Sequence, residues 1–238
     1  MNYPLYNNTL CLRIWDHSIK TDEYEMKPEV RRELLSIATD FVKTNIEDNG
    51  LPLIATDIVL IGSLTNYNWT PYSDFDLHII VDLTDLDVKL TDAQLLVDGL
   101  KGMWNKSHEI TIKGHPVELY VQDVSAKPHS LSSYSVKTGK WIKTPVKDKP
   151  KFDKDYIKTK HERAKTRLDD LFSEPTEKKL ETELERVYAM RQAGLDKKGE
   201  FSEENIVFKI LRAQGYLDKL KDLIVKVYDE DHSLDEVQ

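Results

Sequence analysis

Residues 61 to 82 read IGSLTNYNWTPYSDFDLHIIVD, and the reading of this stretch decides the fold. A Gly-Ser pair closes an apolar run, ten residues intervene, and two aspartates one residue apart open a second apolar run. The preceding TDIVLIGS is short, apolar and β-branched, which predicts a buried strand ending at Gly62. DFDLHIIVDL predicts the next strand. Side chains on a strand alternate between faces, so Asp74, Asp76 and His78 project to one side while Phe75, Leu77 and Ile79 point to the other.

Further on, EITIKGHPVELYVQDV predicts two strands joined at a Lys113-Gly114 turn, and YSVKTGKWIKT repeats the hairpin pattern around Thr138-Gly139. In VELYVQ the same alternation sends Val117, Leu119 and Val121 to the core and Glu118, Tyr120 and Gln122 to the opposite face. If this strand lies beside the first, Glu118 joins the two aspartates, with Asp123 and Glu109 as its replacements if it faces away. Carboxylates about 7 Å apart along a strand repel unless a cation compensates, and hard divalent ions such as Mg²⁺ are the usual partner. Three carboxylates can hold two such ions. Gly62 lets backbone approach a phosphate, and Ser63 offers a hydroxyl and an N–H at an expected helix start.

Helical periodicity covers KPEVRRELLSIATDFVKTNIE, where Pro28 suits a first turn, and TDAQLLVDGLKGMWNKSH, with Thr91 as the expected cap. The Pro145 to Pro150 stretch is rich in lysine and helix breakers, and almost everything beyond it is helical in pattern. The expected organisation is α+β, with a domain at 1–149 and a helical domain at 150–238 made of helices Lys154 to Phe172, Glu177 to Ala193 and Ser202 to Tyr228.

Composition narrows the class. With 39% hydrophobic and 32% charged residues, and no apolar run of about 18 residues, the chain reads as soluble with no membrane partner. Its first residues lack the layout of a secretory signal, so the expected location is cytoplasmic. The single Cys11 excludes an internal disulfide and a multi-cysteine zinc site and reads as a small buried hydrophobe. Net charge is −8, yet residues 137 to 167 hold twelve Lys or Arg against four Asp or Glu. That run is either a solvated face or an electrostatic floor for phosphates. Tyr67, Trp69 and Tyr72 either stack on a base or pack their loop on the sheet, and His78 either bonds at the acids or is structural. No Walker loop, His-Glu-x-x-His helix or serine-hydrolase elbow is present.

An apolar strand, Gly62-Ser63, ten residues and Asp74-x-Asp76, with Glu118 on a later strand, together resemble the DNA polymerase β-like nucleotidyltransferases. The longer stretches GSLTNYNW, SDFDLHIIVD, VELYVQDV and GEFSEENIVFKILRAQGY are also similar to nucleotidyltransferase-like proteins predicted in bacteriophage genomes. The resemblance implies a mixed sheet carrying the acids, a C-terminal helical bundle, and Mg²⁺-dependent or Mn²⁺-dependent transfer of a nucleoside monophosphate from a nucleoside triphosphate such as ATP. Pyrophosphate would leave, and the acceptor would be RNA, a nucleotide, a small hydroxylated molecule or a protein. On this reading Asp74, Asp76 and Glu118 are catalytic and metal-binding, and Gly62, Ser63 and Asn66 bind nucleotide. Many members place arginines directly after Gly-Ser where this chain has Leu64, Thr65 and Asn66, so Lys209, Arg212, Arg191 and the basic run become the candidates for neutralising phosphate. The rival expectation is a nucleotide-binding or antitoxin-like interaction protein without catalysis.

Overall fold

The structure is a computed structural model that describes residues 6–126, 130–147 and 150–234. It is mixed α/β and divides into two compact units, Asn2–Asp148 and Lys149–Gln238. The expected boundary, between residues 149 and 150, lies one residue beyond this division; Asp148 and Lys149 lie outside the described residues.

The N-terminal unit is built on a six-stranded sheet. Its strands, in chain order, are β3 (Asp57–Ile61), β4 (Phe75–Val81), β5 (Thr111–Ile112), β6 (His115–Asp123), β7 (Ser133–Ser135) and β8 (Lys140–Lys143). They lie in the order β5-β6-β4-β3-β7-β8, preceded in the chain by a separate hairpin of β1 (Trp15–Ser18) and β2 (Glu23–Met26). All the sheet's pairings are antiparallel except β4 with β6, whose parallel register sets Asp76 beside Glu118 and His78 beside Tyr120. The connection between these two parallel strands carries α2 (Leu90–Ser107), as a parallel crossover requires.

One face of the sheet is the core. Phe75, Leu77, Ile79 and Val81 of β4 and Val117, Leu119 and Val121 of β6 are buried with Ile58 and Leu60 of β3. Against them pack α1 (Pro28–Phe41) through Val30, Leu34, Ala38 and Phe41, and α2 through Ala93, Val97 and Trp104, residues that recur at helical spacing. Beyond Phe41 the helix continues with π geometry through Val42–Glu47. The amide of Asn105 on α2 bonds both backbone groups of Leu119, at 2.9 and 3.0 Å, and so covers the β6 edge where no strand pairs with it.

Three expectations are corrected. Helix α2 starts one residue before Thr91, with Lys89 at the cap position and no side-chain cap, because Leu90 already has helical backbone. The helix expected to start at Ser63 is only a three-residue 3-10 helix, Ser63–Thr65. The last expected helix is two, α5 (Glu203–Ala213) and α6 (Tyr216–His232), because Gly215 takes φ +76 and ends the first run. Both hairpins and the Cys11 burial match expectation, the latter with Sγ 3.8 Å from His115 Nε2.

In the C-terminal unit α3 (Lys154–Ser173), α4 (Glu177–Lys198), α5 and α6 pack together, with Val187, Phe208 and Leu217 in one buried cluster. Glu204 ties α5 to α3, accepting from Tyr156 Oη at 2.7 Å and Lys160 Nζ at 2.8 Å. Burial pushes the Glu204 carboxyl up, but these bonds and a backbone N–H outweigh it and lower the pKa from 4.5 to about 2. A depressed carboxyl stabilises the folded chain above its unfolded pKa and loses that contribution as pH falls through the folded one. Glu204→Gln is therefore expected to lower stability by about 2 kcal/mol near pH 7. In urea denaturation at a series of pH values, the gap between wild type and variant should close between pH 4.5 and about 2.

Candidate metal and phosphate site

The loop from Gly62 to Asp74 is closed on itself. Ser63 Oγ donates to Ser73 Oγ at 2.7 Å, joining its two ends, and Ser73 Oγ in turn accepts from the Thr70 N–H at 2.9 Å. The N-terminal segment holds the loop from outside, with Asn7 Nδ2 donating to the carbonyls of Tyr67 and Trp69 and Trp69 Nε1 donating to Thr9. Trp15 of β1 donates to the Leu64 carbonyl at 2.9 Å. His115 Nδ1 donates to the Ser73 carbonyl at 2.6 Å, so the residue before Asp74 is tied to the start of β6. Ten residues of apparent slack are thus a fixed spacer.

Gly62 has φ +84 and ψ −160, a backbone region that glycine alone occupies at ease. A Cβ placed there would sit 1.9 Å from Asp76 Oδ2. The carboxylate of Asp76 fills the space that any side chain at position 62 would need. That is a structural requirement for Gly62 independent of any ligand.

Asp74, Asp76 and Glu118 each offer a carboxylate oxygen, and these three oxygens lie within 4.8 Å of one another. Asp74 is buried and the other two are half-buried. Tyr120 Oη donates to Glu118 Oε2 at 2.7 Å. Burial, then the charges of Glu118 and Asp76, the bond to Glu118 and the charge of Asp74 raise the Tyr120 pKa far above the ordinary phenol value, so it remains a donor. The His78 ring stacks on Tyr120 with centroids 4.8 Å apart and bonds Gln122 Oε1 through Nδ1 at 2.7 Å. Burial lowers the His78 pKa to about 4 against the Gln122 bond that raises it, with Lys101 lowering it further. His78 lies two residues from Asp76, held by Gln122 and the Tyr120 ring.

Asp123 lies on the core side and accepts from the Leu83 and Ser125 backbone N–H groups, so Glu118 needs no replacement. Asn66 is buried, and its Nδ2 finds no partner among the described residues. Tyr67 is buried and Trp69 bonded into the fold, whereas Tyr72 is exposed. Arg191, Lys209 and Arg212 belong to the C-terminal unit. Arg191 Nε donates to Asn205 Oδ1 at 3.3 Å with its guanidinium 4.5 Å from the Phe208 ring centre. Lys209 and Arg212 are half-buried on α5.

Much of the basic run has internal work. Lys137 bonds the carbonyls of Ala55 and Thr56, Lys143 that of Ser130, Lys160 bonds Glu204, Lys165 bonds Asp169, and Arg167 bonds Glu183. Lys149 lies outside the described residues. The serines that brace the site, Ser73, Ser130 and Ser132, carried no motif and were missed in the sequence. Gly62 N–H points to Ser130 Oγ at 3.4 Å, Ser130 donates to the Ser132 carbonyl, and Ser132 donates to the Thr65 carbonyl.

Comparison of the chain with protein-family models, with curated proteins and with solved structures finds no match.

Gly62→Ala is expected to cost about 2 kcal/mol or more, from backbone strain plus the collision with Asp76. Asp76→Ala removes the colliding atoms, so in that background the cost should fall to about 1 kcal/mol. A double-mutant cycle in urea measures the difference. Equal costs in both backgrounds would place the role of Gly62 elsewhere.

Proposed function

We propose that this protein is a divalent-metal-dependent nucleotidyltransferase. The observation that carries the reading is the convergence of Asp76 and Glu118 from adjacent parallel strands with Asp74 from the loop just before β4, at the end where the Gly62-Ser63 turn leaves β3. All three ligands are carboxylate oxygens, the donor set preferred by Mg²⁺ and Mn²⁺. Asp74, Asp76 and Glu118 would hold one or two such ions, which supply Lewis acidity toward phosphoryl oxygens and favour an acceptor alkoxide.

The chain's own residues then have defined tasks. The paired aspartates face the triphosphate, and Tyr120 holds Glu118 Oε2 while its other oxygen is left for a cation. Gly62 keeps the backbone low beside Asp76. In the reaction an acceptor hydroxyl loses its proton, its oxygen forms a bond to the α-phosphorus, and the bond from that phosphorus to the bridging oxygen breaks, releasing pyrophosphate. The acceptor class is a hydroxyl compound. Leu64, Thr65 and Asn66 stand directly after Gly-Ser, with no arginine among them, so the triphosphate charge is balanced by metal and by lysine or arginine from elsewhere in the chain.

Purified protein incubated with each nucleoside triphosphate, Mg²⁺ or Mn²⁺, and cellular RNA or protein should release pyrophosphate and transfer label. Asp76→Asn should abolish this while leaving the metal-free melting temperature unchanged or slightly raised, because it removes one of three clustered charges. If the acids instead cap turns or hold ion pairs, the variant should lose roughly 1 kcal/mol or more of stability. A wild type stabilised by metal and nucleotide that transfers nothing would mark a nucleotide-binding protein without catalysis.

A further inference from the structure

Helix α2 carries a face that no described residue covers. Asp92, Leu95, Leu96, Gly99, Gly102, Met103 and Lys106 are all exposed, and on a helical wheel all fall within about 60° of Gly99. Leu95 is 75% exposed, Met103 62% and Leu96 41%, three large apolar side chains within one short stretch of the helix. Isolated exposed apolar residues are ordinary, but a contiguous strip along one helix is a contact surface. The two glycines sharpen the point. Each costs about 1 kcal/mol of helix stability relative to alanine. Neither has positive φ, and a Cβ at either would meet nothing within 4 Å. Among the described residues no turn or close approach requires them, and glycines on a helix surface let a second helix come close.

The charges identify the occupant. A two-fold axis through Gly99, perpendicular to the helix, brings a second α2 antiparallel to the first. Residues equidistant from Gly99 then share a layer of the contact: Asp92 of one copy with Lys106 of the other, Leu95 with Met103, and Gly99 with Gly99, while Leu96 and Gly102 flank it on opposite sides. Acid and base stand at opposite ends of the strip, each seven residues from Gly99, so the strip is complementary to its own reversed image. We infer that α2 is the contact surface of an antiparallel homodimer of this chain, with the helices crossing at Gly99.

The strip lies on the side of α2 turned away from Ala93, Val97 and Trp104, which pack toward the sheet, and away from Lys101, whose Nζ reaches the acid-bearing face 4.7 Å from the Tyr120 ring centre. Dimerisation leaves the acidic site uncovered and does not depend on its chemistry. One helix strip buries less than the ~800 Å² per partner of a standard interface, so the dimer is weak and concentration-dependent.

Sedimentation velocity of the full chain from about 1 μM to about 500 μM should show a reversible monomer–dimer equilibrium. Asp92→Lys and Lys106→Asp should each weaken it about tenfold, since each reversal acts at two symmetry-related contacts. The double reversal should recover affinity to within about threefold, which a parallel arrangement would not give. Leu95→Glu should leave only monomer with an unchanged melting temperature, because the residue is exposed. A wild type that is monomeric throughout, a dimer that survives Leu95→Glu, or a double reversal no better than either single change would each overturn the inference.

Discussion

The parallel register of β4 on β6 is the constraint on which the site depends. It sets Asp76 beside Glu118 on one face and Leu77 beside Leu119 on the other. Two carboxylates about 5 Å apart cost about 3 kcal/mol at an effective dielectric of 20. Against this stand Phe75, Leu77, Ile79, Val117, Leu119 and Val121, all buried on the opposite face. At about 1.5–3 kcal/mol each their burial exceeds the repulsion several times over. A one-residue slip would turn these residues to solvent and the acids to the core, so the apolar face enforces the acidic one.

The third carboxylate is placed by a different device. Asp74 precedes β4, and its position depends on the loop that Ser63 and Ser73 close and that His115 ties to β6. Both devices meet at Gly62, whose missing side chain leaves room for Asp76 where β3 ends. Main-chain pairing and a small set of buried hydroxyls thus convert a polar, aromatic stretch into a rigid mount for acidic groups.

The acid-bearing strands were readable because alternation along DFDLHIIV and VELYVQ is strong and each strand has one apolar face. The turns at Lys113-Gly114 and Thr138-Gly139 were readable from glycine alone. What escaped were features set by distant contacts. Hairpin β1–β2 is four residues per strand and depends on packing such as Trp15 stacked on Trp141, 126 positions away in the chain. The serine bracing joins residues 63, 73, 130 and 132, which no spacing rule connects. The Gly215 break lies inside an apolar period that continues on both sides, so periodicity alone reads through it. The basic run's charge is conspicuous in sequence, whereas the carbonyls and carboxylates that hold Lys137, Lys143, Lys160, Lys165 and Arg167 are not.

Manganese binding is the most direct measurement of the central claim, because Mn²⁺ is paramagnetic and its free signal reports occupancy without any turnover. Titration of the protein with Mn²⁺, followed by electron paramagnetic resonance with and without a nonhydrolysable nucleoside triphosphate, should show saturable binding that Mg²⁺ displaces. Asp74→Asn and Glu118→Gln should each weaken it by an order of magnitude or more. Equal binding by wild type and both variants, or none by the wild type even with nucleotide present, would contradict the account of Asp74, Asp76 and Glu118 as a metal site.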